Sequence, residues 1–141
     1  MHLISTLLIG TSALIIGLLG LIHLIYTFIG TKLEAQDPEL RAAMRTARLN
    51  LTDETTVGRS TKGFNASHSL GALFFAAVYG YLATKHIVWL QHSPFLLAIG
   101  FILLLSLFGL AKRYWFKVPT KGIALATILY GVGCLPLLLN A

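Results

Sequence analysis

The chain has 141 residues, of which 56% are hydrophobic and only 11% are charged, and its formal net charge is +6. Soluble domains carry roughly 25% charged residues, so this composition excludes an ordinary soluble domain and favours one domain covered by lipid. The basic residues lie beside apolar segments, which predicts contact with the anionic inner leaflet and no nucleic-acid partner. The one cysteine, Cys134, excludes an internal disulfide and a paired-cysteine redox site.

Four apolar segments follow one another along the chain. A helix needs about 20 apolar residues to cross the hydrocarbon, and residues 3–29, 64–83, 94–111 and 122–139 provide segments of about that length. The first segment is too long for the core of a signal peptide, so we expect it to stay as a helix. We therefore predict an all-α integral membrane four-helix bundle that forms a single transmembrane domain over residues 1–141.

The positions of the basic residues predict the orientation of these helices. All of the 11 Lys and Arg residues except Lys85 lie in residues 31–62 or in the loop after the third helix. Under the positive-inside rule both loops are cytoplasmic. The expected topology is N-out/C-out.

The first cytoplasmic loop, residues 31–62, contains a helical pattern. Asp37 followed by Pro38 is typical of a helix N-cap and its first helical position. Apolar residues then recur at helical spacing: Leu40, Met44, Ala47 and Leu51. A stripe of basic residues runs beside them: Arg41, Arg45 and Arg48. We expect a short amphipathic helix that lies on anionic inner-leaflet lipid or packs against the end of the bundle.

Small residues mark the helix faces that are expected to pack. Small residues recur along the first helix at Gly10, Ala13, Gly17 and Gly20, and along the second at Ala72, Ala76 and Gly80. Membrane helices associate through such residues because they let backbones approach closely. The first and second helices are therefore predicted to pack against each other.

Acidic residues are absent from the predicted membrane helices. All 5 Asp and Glu residues lie between Glu34 and Glu54. Proton-coupled exporters and sterol-isomerase-like bundles rely on carboxylates within the membrane. The sequence argues against both classes, and no catalytic residue is predicted.

Histidine is the remaining ionisable residue in the membrane helices. His23 and His68 lie near the inner ends of the first and second helices, and antiparallel helices put them at similar depth. Together with Tyr26 and Asn65 they predict a polar pocket that opens to the cytoplasm. Arg113, at the end of the third helix, is expected to close it.

Three interpretations of this pocket remain open. The histidines could simply bond backbone carbonyls or interfacial water, with Asn65 as a helix cap. They could instead be the two axial metal ligands of haem b, since six-coordinate haem iron takes two such side chains from facing helices. Finally, His23 or His68 could serve as a hydrogen-bond donor or general base to a quinone or lipid headgroup.

Two sequence stretches carry a family resemblance. They are GFNASHSLG at residues 63–71 and LIHLIYTF at residues 21–28. In these two stretches the chain resembles a family of small four-helix bacterial inner-membrane proteins with no assigned activity. The resemblance implies a multi-pass protein of the bacterial inner (cytoplasmic) membrane, and it implies no catalytic residue.

The size, four helices and long first loop are also similar to membrane-associated enzymes of eicosanoid and glutathione metabolism. The second helix of those enzymes carries an Arg, Asn and Glu pattern that holds glutathione. Here Asn65 matches the Asn, but residues 64–83 contain neither Arg nor Glu. This resemblance is one of shape, which does not imply a function.

We therefore expect a non-catalytic accessory or structural subunit that packs against a larger membrane complex or against another copy of itself. The third helix, rich in Leu and Phe, provides the expected partner surface. The alternative is a ligand-binding or catalytic bundle with a His23 and His68 pocket for haem b, quinone or a lipid headgroup.

Overall fold

The computed structural model describes residues 2–139, which form six helices and one antiparallel two-stranded hairpin. Four helices supply most of the apolar length: α1 (His2–Phe28), α3 (Val57–Lys85), α5 (Pro94–Tyr114) and α6 (Lys117–Leu138). Each of the four is long and apolar enough to cross a membrane. The prediction of four helices of membrane-crossing length is thereby confirmed.

The helices extend further into polar sequence than hydropathy indicated. Helix α3 begins at Val57, whereas the apolar segment begins at residue 64, and α6 begins at Lys117 rather than at residue 122. Polar residues do not interrupt a helix, since its backbone hydrogen bonds form equally well outside the hydrocarbon. A further short helix, α4 (Ile87–Gln91), lies between α3 and α5 and was not predicted.

The first loop contains α2 (Pro38–Thr46) and a hairpin of β1 (Arg48–Leu49) and β2 (Thr52–Thr56). The Asp37 carboxylate accepts a hydrogen bond from the Glu39 backbone N–H at 3.0 Å, which caps α2 at the predicted residue. The helix ends at Thr46, so Arg48 lies in a strand and does not continue the helical stripe. Threonine-rich β2 favours the extended chain, and the all-α prediction missed this hairpin.

The chain divides into two compact units. One contains the residues up to Leu19 together with those from Ala72 onward, and the other is Gly20–Gly71. The first unit holds most of the apolar core, and the second holds the first loop and the adjoining ends of α1 and α3. The single-domain organisation stays a prediction.

Two buried tyrosines fix α5 within the first unit. The hydroxyl of Tyr79, on α3, donates to the Leu96 carbonyl at 2.7 Å, and that of Tyr130, on α6, donates to the Leu97 carbonyl at 3.3 Å. Both rings lie against Gly100, where a Cβ atom would stand 2.7 Å from Tyr79 Cζ. Glycine at this position therefore provides the space in which the two rings meet α5.

Small residues also bring α1 close to α3 in this unit. A Cβ atom on Gly17 would lie 2.9 Å from Ala76 Cβ, and one on Gly80 would lie 3.7 Å from Ala13 Cβ. The predicted packing of the first and second membrane helices is confirmed for these residues. Helix α1 also contacts α6, because the Ser12 hydroxyl donates to the Ala126 carbonyl at 2.8 Å.

The first testable prediction concerns Gly100. In Gly100→Ala the added methyl group collides with two buried aromatic rings, and overpacking of this kind costs about 1–3 kcal/mol. We expect a lower melting temperature by circular dichroism in detergent. The matched control is Gly109→Ala on the same helix, where no heavy atom lies within 4 Å of the added carbon. That variant should match or slightly exceed the parent, and equal melting temperatures for both variants would contradict the prediction.

Candidate functional site

The two histidines that the sequence singled out meet in the unit Gly20–Gly71. The His23 ring, on α1, and the His68 ring, on α3, have centroids 5.5 Å apart and planes inclined at 84°. They contact each other edge to face. Counting residues from the helix ends had predicted similar depths, and the structure shows direct contact.

One nitrogen of this pair lacks a bonding partner. His23 Nε2 is buried and forms no hydrogen bond with any residue in the described range 2–139. The Asn65 side chain lies within hydrogen-bonding reach of the same imidazole. A buried polar atom without a partner is uncommon in folded proteins and is often associated with a functional site or an unseen ligand.

The neighbouring hydroxyl groups are occupied by their own helices. Thr27 Oγ1 donates to the His23 carbonyl at 2.8 Å, and Ser69 Oγ donates to the Asn65 carbonyl at 3.0 Å. Hydroxyls in apolar helices commonly bond the carbonyl one turn earlier in this way. Any chemistry at this site therefore depends on the imidazoles of His23 and His68.

Two further predicted pocket residues have other contacts. The Tyr26 ring carries Lys32 Nζ over its face at 4.1 Å, a cation–π contact within the unit Gly20–Gly71. Arg113 belongs to the other unit, where its Nε donates to Tyr114 Oη at 3.2 Å. A role for Tyr26 in a pocket, and for Arg113 in closing one, stays a prediction.

A second polar site, which sequence reasoning missed, also lies in the unit Gly20–Gly71. It is a cavity of about 350 Å³, here called the basic cup, whose charged lining residues are Glu34, Arg41, Arg45, Arg59 and Lys62. The sequence pattern had assigned Arg41 and Arg45 to a membrane-surface stripe. The structure shows that both line a cavity, while Arg48 does not. The Glu34 carboxylate lies 3.4 Å from Arg41 and 3.6 Å from Arg45, a pairing that no local pattern indicated.

The first unit contains a larger cavity of different character. It is a furrow of about 730 Å³ between α5 and α6, here called the apolar groove. Its lining is almost entirely apolar and includes Ala98, Phe101, Leu105, Ile128, Gly131 and Leu135. The third predicted helix, now α5, forms one of its two walls.

Clusters of metal-binding side chains are absent from the described part of the chain. No group of three or more His, Cys, Asp or Glu residues that could hold a metal ion occurs there. No protein-family model, curated protein or solved structure matches this chain. The family resemblance carried by the GFNASHSLG motif stays a prediction. The features that bear on function are the contact between His23 and His68, the basic cup and the apolar groove.

The second testable prediction concerns the unpaired nitrogen. Replacing His23 by leucine removes a buried polar atom that lacks a partner, a situation that costs about 1–3 kcal/mol. We expect His23→Leu to melt at or above the parent temperature in detergent. His92→Leu is the control for added apolar surface, because His92 is exposed, and it should lower stability by about 0.5–1.5 kcal/mol, the value of the bond between His92 Nδ1 and the Val88 carbonyl that it loses. Destabilisation by His23→Leu larger than that of His92→Leu would show that the imidazole serves the fold instead.

Proposed function

We propose that this protein is a multi-pass membrane protein whose apolar groove receives a membrane helix of a partner protein, so that it acts as a non-catalytic accessory subunit. The observation that carries the proposal is the groove between α5 and α6. It is long, apolar and open along the surface of two helices of membrane-crossing length.

The length and floor of the groove support a helical occupant. Its lining runs on α5 from Pro94 to Phe108, which corresponds to about 20 Å of helix and so to much of a roughly 30 Å hydrocarbon core. The small residues Ala98 and Ala124 are among its lining residues, while the space beside Gly131 is filled by the Phe101 ring. Small residues of this kind allow a second helix to approach closely, which is how membrane helices associate.

The rim of the groove supports the same occupant. Bulky side chains stand exposed along it, including Ile128 at 62% and Leu135 at 54% of their full accessible surface. Where bulky and small residues alternate, the helix surface has ridges and grooves, and the side-chain ridges of a second helix can pack into those grooves. The polar lining residue Thr127 donates its hydroxyl to the Ile123 carbonyl at 2.7 Å, so the recognition here is of shape.

The proposed setting is the bacterial inner membrane, with an N-out/C-out orientation. Its support is the concentration of Lys and Arg in two loops, which the positive-inside rule makes cytoplasmic. Helix α2 would then lie at the anionic inner leaflet. None of its residues is buried, as expected for a short amphipathic helix that contacts lipid headgroups.

The third testable prediction uses photo-crosslinking in native membranes. A benzophenone amino acid is placed at Ile128 or Leu135 in the groove, or at Phe74 on α3, which is 72% exposed and does not line the groove. We expect both groove positions to capture the same membrane protein, identified by mass spectrometry, and Phe74 to capture none. Filling the groove with Ala98→Phe should abolish capture.

Two outcomes would overturn the accessory-subunit proposal. Adducts with lipid alone at both groove positions would show that an acyl chain occupies the groove. Adducts of twice the chain's own mass would show that a second copy occupies it. Ala98→Phe must keep the parent's melting temperature for its loss of capture to count.

A second candidate function is a ligand site at His23 and His68. Its support is their ring contact together with the unpaired His23 Nε2. The two rings touch edge to face at a centroid separation of 5.5 Å, so a haem b iron between them would require the imidazoles to turn and move apart. A quinone or lipid headgroup would need only one imidazole, with His23 Nε2 as the donor.

The fourth testable prediction separates these ligands. The visible spectrum of protein purified in mild detergent is recorded before and after dithionite. For haem b we expect a Soret band with sharp reduced α and β bands, absent from both His23→Ala and His68→Ala. A flat parent spectrum would remove haem, and loss of co-purifying quinone or lipid in the same variants would then identify the headgroup alternative.

A further inference from the structure

The basic cup brings cations from two separate segments of the chain to one cavity of about 350 Å³. Arg41 and Arg45 come from α2, while Arg59 and Lys62 come from the first turns of α3. One carboxylate, that of Glu34, faces these four cations, which leaves a surplus of positive charge in the lining. We infer that the basic cup binds the phosphate group of an anionic ligand, independently of the apolar groove.

The α2 side of the cup is held in position by its own bonds. The Arg41 guanidinium donates to the Ala35 carbonyl at 3.0 and 2.9 Å through Nε and Nη2, and it lies 3.4 Å from Glu34. Arg45 shares the same carboxylate at 3.6 Å. Glu34 thus offsets part of the charge on α2, and together with the Ala35 carbonyl it holds the Arg41 guanidinium in place.

The α3 side of the cup supplies the uncompensated charge. Neither Arg59 nor Lys62 forms an ion pair within residues 2–139. Lys62 Nζ lies 5.4 Å from the centre of the Phe28 ring, which places the ammonium beside the end of α1. A guanidinium and an ammonium that face a cavity without an acidic partner are suited to bind phosphate oxygens.

The N-terminus of α3 adds to the same field. The helix begins at Val57, and Thr56 and Gly58 line the cup, so the positive end of the helix dipole lies there. The Val57 N–H already bonds the Ala47 carbonyl at 2.9 Å, and the Arg59 N–H bonds the Thr56 hydroxyl at 3.4 Å, so the helix end contributes its dipole more than free donors. A Cβ atom on Gly58 would lie 3.1 Å from the Met44 carbonyl oxygen. Glycine therefore lets the last turn of α2 lie directly against the first turn of α3. Helix N-termini combined with basic side chains commonly bind phosphate.

The position of the cup along the membrane helices favours a lipid headgroup as the source of that phosphate. Thr27 in the last turn of α1 and Asn65 of α3 are part of its lining. Helix α3 has 29 residues, about 43 Å of helix, so it exceeds a roughly 30 Å hydrocarbon core and its polar first turns reach the headgroup layer. A soluble phosphate compound has the same chemistry and is the other source.

The fifth testable prediction measures lipid retained by the full chain. Protein is purified in mild detergent with added phosphatidylglycerol, and bound lipid is counted by native mass spectrometry. In detergent there is no charged bilayer surface to attract lipid nonspecifically. Lipid that stays bound to the protein therefore indicates a specific binding site. We expect a bound lipid in the parent and about ten-fold less in Arg59→Gln. Arg48→Gln removes the same charge from strand β1, outside the cup, and should retain the parent level of lipid.

A second arm distinguishes lipid from soluble phosphate. Inorganic phosphate is titrated into protein held in phosphatidylcholine nanodiscs, and the melting temperature is followed. If the ligand is soluble, phosphate should raise the melting temperature of the parent and of Arg48→Gln but not of Arg59→Gln. Lys62→Gln repeats the test should Arg59→Gln fail to fold. Absence of both effects in the parent, or equal losses in the Arg48 and Arg59 variants, would overturn the inference.

Discussion

Two tyrosine hydroxyls that must find acceptors inside an apolar core determine the packing of the first unit. Hydrocarbon offers no water, so buried polar groups have to bond within the protein. Tyr79 and Tyr130 bond the carbonyls of Leu96 and Leu97, and this is sterically allowed because residue 100 is glycine. Helix α5 is thereby held against α3 and α6. The position of α5 against α6 in turn defines the apolar groove between these two helices.

The membrane helices could be predicted because lipid imposes a length and a composition on the chain. Their ends could not, because a helix continues into polar sequence without a hydropathy signal, as α3 does from Val57 to residue 63. The hairpin of β1 and β2 escaped prediction for a related reason. Leu51 fits the helical spacing of the apolar residues before it, but in the structure Leu49 pairs with Thr52 and Leu51 lies in the turn between them. The residue pattern of one strand does not show which other segment it pairs with.

The candidate sites differ in how far sequence could reveal them. Counting from the ends of antiparallel helices predicts that His23 and His68 lie at similar depth, but their ring contact also depends on how each helix is rotated about its axis, which counting does not give. The basic cup depends on Glu34 reaching Arg41 and Arg45 across a loop, and on Gly58 admitting the end of α2. The apolar groove could not be predicted from sequence, because a Leu-rich helix has the same composition whether its packed surface is flat or contains a groove.

The binding proposed for each of the two units therefore depends on different physical interactions. The apolar groove is built from dispersion contacts and close backbone approach, which ionic strength hardly affects. The basic cup is built from cations and a helix N-terminus at the expected headgroup layer, where salt screens attraction over about 10 Å at 0.1 M. A single ligand would not satisfy both, since a groove without unpaired polar groups gives no bonding to a phosphate. The chain therefore carries the proposed shape-selective surface together with the inferred charge-selective one, and this pairing would suit the accessory subunit proposed above, held by a protein neighbour and by anionic lipid at the same time.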